Sequence, residues 1–289
     1  MSVVTVSIVV HSTPLAQLEK ALDCLLASEA ARIYVIDNSA DDRLEVVRGK
    51  DPRITYRHVA NRGFGAGHNE ALREILSPEG SDIDNVSSGY HLVMNADVWW
   101  EGDIIGSLAS YMDSNPDVGL VMPKVFYPDG QLQYACRMLP TPWDVFAKRF
   151  LPGRLTHARM ERYLLAVHDH DKPLNCPYLL GSFLFFRLEA FRQCGVFDER
   201  FFMYPEDIDI TRRLHEKWKT MYWPGVSIVH EHAAASRKSM KMLRIHISNM
   251  IRYFNKWGWF IDTSRRKFNK TLRDSIVRLP KAKKQPGRG

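Results

Sequence analysis

The chain has 289 residues, 45% hydrophobic and 25% charged, a globular composition that excludes wholesale disorder and leaves room for one large domain with an appendage or two small ones. Its formal charge of +7 is unevenly spread: from Arg237 onward there are 16 Lys and Arg against 2 Asp, and before it 24 Lys and Arg against 31 Asp and Glu. The four cysteines, Cys24, Cys136, Cys176 and Cys194, form no C-x-x-C pair, which excludes a zinc ribbon or dithiol motif and suits a reducing compartment.

Val3 to Val10 is a short β-branched run that predicts a buried strand. Pro14 precedes an amphipathic stretch, Leu15 to Leu26, expected to be a helix. Strands are predicted at Arg32–Ile36, ending at Asp37-Asn38-Ser39, and at Ile54–Val59. A glycine-rich loop is read from Asn61 to Gly67 and a helix from Asn69 to Leu76. A polar loop, Ser77 to Gly89, leads to a strand at Tyr90–Met94 that ends at Asn95-Ala96-Asp97. A helix over Asp103–Asn115 stops at Pro116, and Leu120–Phe126 is a further strand. Gln131 to Lys172 shows no periodicity. Leu179–Phe186 predicts a strand, Leu188–Cys194 a helix stopped by Gly195, and Glu206 to about Lys217 a helix. Short strands at Thr220–Trp223 and Val226–Val229 end at His230. The alternation indicates an α/β fold with a mainly parallel central sheet flanked by helices. In such sheets ligands bind beyond the carboxyl ends of the strands. His11, Ser12, Asp37, Asn38, Asn61, Asn95 and Asp97 cluster at those ends.

Met1 to Val10 carries no basic n-region, so no signal peptide is expected. No run approaches the ~20 apolar residues of a membrane helix. The expected location is the cytoplasm.

Asp97, directly after a strand, suits a hard divalent cation such as Mg2+ or Mn2+ that would hold a diphosphate; a turn or helix-capping Asp is the alternative. His230 could complete the metal shell, with His232 as competitor and a packed histidine as the plain alternative. The Glu206-Asp207 pair could supply a general base, although acidic residues also favour a helix's first turn. The G-x-G-x-G core within Asn61–Asn69 is neither a dinucleotide nor a P-loop motif; its glycines, Gly65 among them, would permit backbone approach to a nucleotide.

Taken together, Val6–Val10, Val35-Ile-Asp-Asn-Ser39, Asn61-Arg-Gly-Phe-Gly-Ala-Gly-His-Asn69, Leu92-Val-Met-Asn-Ala-Asp-Val98, Gly181-Ser182, Val196 to Ile210 with Arg213, and Val229-His-Glu-His232 resemble the inverting family 2 glycosyltransferases. Within these they resemble the rhamnosyltransferase-like members of bacterial O-antigen and lipopolysaccharide core synthesis. The resemblance implies a GT-A fold over residues 1–236, with a nucleotide-binding half (1–98) and an acceptor-binding half (99–236). It places His11, Ser12, Asp37, Asn38, Asn61, Gly65, Asn69, Asn95, Ala96 and Asp97 at the nucleotide sugar, Gly181 and Ser182 at the acceptor, Asp207 as base with Glu206 beside it, and Asp97 and His230 at the metal. Asn95 departs from the family's D-x-D, leaving Asp97 as the clear carboxylate. The implied donor is dTDP-L-rhamnose, with UDP- or GDP-sugars as alternatives, and the acceptor a saccharide or lipid-linked saccharide. No nucleic-acid partner is expected.

Residues 237–289 read as a basic helical tail. Met240, Leu243, Ile247, Met250, Ile251 and Phe254 recur at helical spacing among basic residues, followed by Trp257-Gly258-Trp259-Phe260. Such a segment suits the anionic inner-membrane surface, making the protein peripheral there; alternatively it packs on the catalytic domain. A non-catalytic lipid- or nucleic-acid-binding protein is the rival class, and it would not require Asp97 and Asp207 to lie together.

Overall fold

The computed structural model describes residues 2–77, 89–151, 153–231 and 240–278, without the side chains of residues 148–150. Most of the polar loop read at Ser77–Gly89, His232, and the tail beyond residue 278 lie outside the described residues.

The chain begins β1 (Val4–Val10), α1 (Leu15–Leu26), β2 (Arg32–Asp37), a 3-10 turn at Arg43–Gly49, β3 (Ile54–His58), α2 (Phe64–Ile75), β4 (Tyr90–Met94), β5 (Val98–Trp99), α3 (Ile104–Asp113) and β6 (Val118–Phe126). β7 (Cys136–Arg137), α4 (Pro142–Phe150), α5 (Gly153–Tyr163), β8 (Leu174–Asn175), β9 (Tyr178–Leu179), β10 (Phe183–Arg187), α6 (Leu188–Cys194), α7 (Glu206–His215), β11 (Lys219–His230), α8 (Met240–Trp257) and α9 (Thr263–Asp274) follow.

The main sheet runs β3-β2-β1-β4-β10-β6-β11-β5, with β8 on β11, and β7 pairs β9 in a separate ribbon. The parallel expectation holds over β3, β2, β1 and β4. Beyond them β10 runs antiparallel to both β4 and β6, so the sheet is mixed. The core strands are buried almost throughout, as strands covered on both faces must be. α1 covers them with Leu18, Ala21, Leu22 and Leu25, one helical stripe. Strand order reverses between β1 and β4, the place where open α/β sheets bind ligands.

Four features differ from the sequence reading; the strand read at Leu179–Phe186 is two, β9 and β10, in separate sheets, with Gly181 and Ser182 in the turn between them. The glycine-rich segment is not all loop: Phe64 to Gly67 is the first turn of α2. A Cβ on Gly65 would stand 2.9 Å from the Phe197 Cβ, and one on Gly67 2.7 Å from a Val9 methyl, so close packing outweighs glycine's poor helix propensity. The two strands predicted around Pro224-Gly225 are one strand, β11, with a register shift between Trp223 and Ser227. The unplaced Gln131–Lys172 stretch supplies α4, opened by a Thr141/Asp144 capping box, and α5.

Helices α8 and α9 of the basic segment pack back onto α7 and the strand-end region, as in the packed alternative. Asn249, Met250, Tyr253 and Phe254 of α8 are buried. Trp257 donates its indole N–H to Asp209 of α7 at 2.8 Å, and Lys256 pairs with the same carboxylate. Arg212 of α7 is fully buried and grips Asp262 through both guanidinium nitrogens, at 2.9 and 2.5 Å, with its guanidinium carbon 3.9 Å above the Trp257 ring. Asn269 of α9 exchanges two hydrogen bonds with the Leu139 backbone. Among the described residues no helix is long and apolar enough to cross a membrane.

Candidate active site

A cavity of about 570 Å³ opens on the side of β4, β10 and β11. Asn95, Gly181, Ser182, Glu206, Asp207 and His230 all line it, so six of the residues singled out in the sequence meet here. Asp97 joins through His230, whose Nε2 stands 3.3 Å from the Asp97 Oδ1.

Sheet pairing sets this geometry. β4 and β10 run antiparallel from Met94 and Phe183, which brings the following and preceding turns together; the Asn95 N–H donates to the Ser182 carbonyl at 3.0 Å. β5 pairs the end of β11, with His230 opposite Val98, and the Glu231 N–H donates to the Asp97 carbonyl at 2.9 Å. The carboxylate turn and the histidine are thereby held across one strand pair.

Asp207 sits in the first turn of α7, where the helix dipole favours negative charge. Its Oδ2 accepts from the Gly181 N–H at 3.0 Å and its Oδ1 from the Ile208 N–H at 2.8 Å. A Cβ on Gly181 would approach the Asp207 Cβ to 3.0 Å, so glycine permits the close approach that supplies that donor. Tyr204, just before Pro205, holds φ at +90°, a costly conformation for a bulky residue of the kind that persists where surrounding structure over-determines it.

Burial pushes the Asp207 carboxyl up to about 6, against the pull of its two N–H donors and the Arg137 guanidinium. Burial, and then the Asp207 charge, push Glu206 well above the ordinary carboxylate range. Two adjacent buried carboxylates do not both ionise readily. The N–H donors mark Asp207 as the charged member, while Glu206 leaves one buried oxygen without a partner. Transfer by an Asp207 base should therefore rise tenfold per pH unit up to about pH 6 and level off above it. A pH profile of kcat/KM checks this; a plateau reached near pH 4, the ordinary Asp range, would remove the buried-base assignment.

Burial also raises Asp97, but the hydrogen bond and charge of His230 outweigh it and hold the carboxyl below its usual value. The His230 Nδ1 lies 2.7 Å from the Gln133 Oε1. That oxygen can only accept, so Nδ1 carries the proton and Nε2 turns toward Asp97. The Asp97 Oδ1 is buried, with the His230 Nε2 facing it at 3.3 Å. A carboxylate oxygen and an imidazole nitrogen facing one another suit a divalent cation. Among the described residues no group of three or more His, Cys, Asp or Glu could hold a metal; phosphates and water commonly complete a Mg2+ shell, and His232 lies outside the described residues. The Gln133 Nε2 and Ser182 Oγ are buried without partners; unsatisfied polar atoms gathered at one cavity indicate a ligand.

The remaining predicted residues lie at the ends of β1 and β2. The His11 Nδ1 is 3.0 Å from the Asn38 carbonyl and 3.4 Å from the Asn61 amide nitrogen, and Ser12 donates its N–H to the Ser39 hydroxyl. His11, Ser12 and Asn61 are exposed there. Asp37 is 0% exposed. Its two oxygens accept from the Ser39 N–H and the Tyr56 hydroxyl, each at 2.8 Å, so it fixes the turn from behind. Asn38 is buried and reaches toward the Gly63 carbonyl at 3.5 Å. Asn69 spends its amide on the Phe197 backbone and on Glu199, and Gly65 faces Phe197; both serve packing in this structure. Ala96 is buried between Asn95 and Asp97.

Sequence reasoning missed Gln133, Arg137, Tyr163 and Tyr178, which line the cavity from the stretch without periodicity and from the two-residue strand β9. It also missed Leu243, His246 and Met250, by which α8 forms part of the cavity wall.

The chain is 29% identical over 237 residues to the N-acetylglucosaminyl-diphospho-decaprenol L-rhamnosyltransferase of two Mycobacterium tuberculosis strains, covering 78% of this chain and 75% of the relative. Among solved structures it resembles GalNAc-T7 with UDP, GalNAc and Mn2+ (TM-score 0.56, 13% identity, 80% of this chain and 44% of that one). It also resembles S. aureus TarS (TM-score 0.52, 12% identity, 87% and 43%). The chain thus spans less than half the length of these solved chains, and at such identities they show the shared GT-A fold alone. The description "Glycosyl transferase family 2" matches residues 5–195, ending before α7 and His230. On that match, and with Asp97 and Asp207 gathered about one cavity, the chain belongs to glycosyl transferase family 2 and is a glycosyltransferase.

Proposed function

We infer that the protein transfers L-rhamnose, with inversion, from dTDP-L-rhamnose to a hydroxyl of a lipid-linked saccharide in bacterial lipopolysaccharide or other envelope glycan synthesis, working in the cytoplasm at the inner membrane. The donor sugar and lipid-linked acceptor follow the M. tuberculosis relative's name. The observation that carries the reading is Asp207, 6% exposed and held by two backbone N–H groups, in the same cavity as Asn95, Ser182 and His230.

In this reading Asp207 takes the proton from the acceptor hydroxyl as that oxygen attacks the anomeric carbon. Gly181 and Ile208 hold its carboxylate in place. The buried wall of Tyr163, Tyr178 and Met250 keeps water from competing for the sugar. Asp97 and His230 would hold a divalent cation, which supplies positive charge to the leaving nucleoside diphosphate. His11, Ser12 and Asn61, at the exposed ends of the parallel strands, would receive the nucleoside.

Incubating the protein with dTDP-rhamnose, UDP- and GDP-sugars and a lipid-diphosphate N-acetylglucosamine acceptor, with products read by mass spectrometry, tests the reading. Transfer from a donor other than dTDP-rhamnose would overturn the donor assignment while leaving the class intact. Chelation should abolish transfer and Mg2+ or Mn2+ should restore it. Asp97→Ala should weaken donor binding about tenfold or more, the scale of losing a charged contact. Full turnover in EDTA would remove the metal role of Asp97.

A further inference from the structure

A second cavity, of about 250 Å³, lies between α4, α5 and α9. It shares Asp144 and Tyr163 with the active-site cavity, so the two are neighbours on either side of those side chains. Five guanidinium groups line it: Arg159, Arg162, Arg265, Arg266 and Arg273, against the single carboxylate of Asp144. That carboxylate is taken up by Arg159 at 2.6 Å. Arg265 is spent on backbone carbonyls of Gly258 and Trp259 and on Asp262, and Arg266 on the Phe260 carbonyl. Arg162 and Arg273 make no ion pair or side-chain hydrogen bond among the described residues. Like charges gathered without counter-charge are destabilising; a phosphate-bearing ligand would relieve this, and guanidinium forks match phosphate oxygens.

The elements that supply this groove also carry large exposed apolar side chains. Trp143 and Phe146 stack on each other on the exposed side of α4. Phe260, whose carbonyl holds Arg266, is 80% exposed. Leu155 lies on the face of α5 shared by Arg159 and Arg162, at the i, i+4, i+7 spacing, and is also exposed. Large exposed apolar side chains on the elements that line a cationic groove suit an interaction surface, and aromatic with basic residues together suit the boundary of a lipid surface.

We propose that the arginine groove binds the diphosphate of the lipid-linked acceptor, with the lipid chain leaving past Trp143, Phe146 and Phe260. This rests on the acceptor reading above and assigns it a place. The saccharide then lies in the larger cavity against Asp207, the diphosphate next door between α5 and α9, and the exposed apolar residues meet the membrane from which the lipid comes. Membrane contact falls to this folded face, whatever the basic residues after 278 do.

Farnesyl diphosphate is a suitable soluble probe, titrated against the full chain by tryptophan fluorescence with a saturating nucleoside diphosphate closing the donor site. Saturable binding is expected, weakened about tenfold or more in the double variant Arg162→Gln/Arg273→Gln, since each charge-assisted contact contributes about that much. Both side chains are exposed, and an unchanged thermal midpoint confirms that the variant is folded. Inorganic pyrophosphate should bind at least about tenfold more weakly, and farnesol binding should be insensitive to the substitutions. Unchanged farnesyl diphosphate affinity in the variant overturns the proposal. So does pyrophosphate binding as tightly as the lipid, which would mark a site for free phosphate. The titration needs no sugar transfer. Failure of the proposed reaction with intact binding therefore sinks the function reading alone, and intact transfer with unchanged binding sinks the groove alone.

Discussion

Asp207→Asn is expected to lower sugar transfer by about 10²–10⁴-fold, the usual contribution of a general base, with donor affinity nearly unchanged. The amide keeps the shape but cannot accept the proton. The same substitution should flatten the pH dependence of stability. Burial raises the folded carboxyl to about 6 from the ordinary 3.8, so the ionised form is disfavoured in the folded state. Its contribution to stability is full below the unfolded value and is lost as pH rises through about 6. The Asn variant lacks that titration, so its stability should change less than the parent's between pH 4 and pH 8, although its amide nitrogen gives up one of the two backbone hydrogen bonds. Steady-state kinetics and urea unfolding at the two pH values check both halves. An inactive Glu206→Gln beside an active Asp207→Asn would show that the base is the other carboxylate.

Asp262→Ala should cost about 3–5 kcal/mol of stability, the penalty for leaving one partner of a buried ion pair uncompensated. Arg212 is the largest fully buried side chain in the protein among the described residues, and its guanidinium loses both contacts to Asp262 in this variant. Replacing both partners with leucine should recover most of the loss, because the desolvated charge disappears with its partner. Urea unfolding of the two variants decides between them. A loss within about 1 kcal/mol for Asp262→Ala would mean that water reaches Arg212 and the pair is a surface one.

The sequence was most legible where one residue pattern has one physical outcome. The β-branched runs of β1, β2 and β4 could be read as strands because strands buried on both faces need that composition. Asp97 could be read from its place directly after β4, and the family resemblance singled out Asp207 from a pair whose residue types alone fit a plain helix start. Asp37 was legible as a strand-end carboxylate but not as a buried one. Its burial depends on Tyr56, a strand away, whose hydroxyl caps it. Gly65 and Gly67 show the same limit: their reason is the bulk of Phe197 and Val9, which no local pattern reveals. Arg137 and Tyr178 come from two-residue strands, too short to leave a period. The helical spacing of α8 was plain, yet six apolar positions do not say which of them face protein. Met250 and Phe254 turn inward while Ile247 and Ile251 remain exposed.

The Arg212–Asp262 clamp also bears on how the protein is made. Its partners are 50 residues apart, and synthesis at about 5–20 residues per second puts about 3–10 s between them. During that interval the central strands have been synthesised, but α7 carries an unmatched cation on the side later covered by α8. The helix bearing Asp207 is therefore expected to take its final seat only after residue 262 has cleared the ribosome tunnel. Nascent chains should expose the unfinished side of α7 to chaperones until then, and ribosome stalling between residues 215 and 262 would release a species with its parallel strands formed and α7 unset.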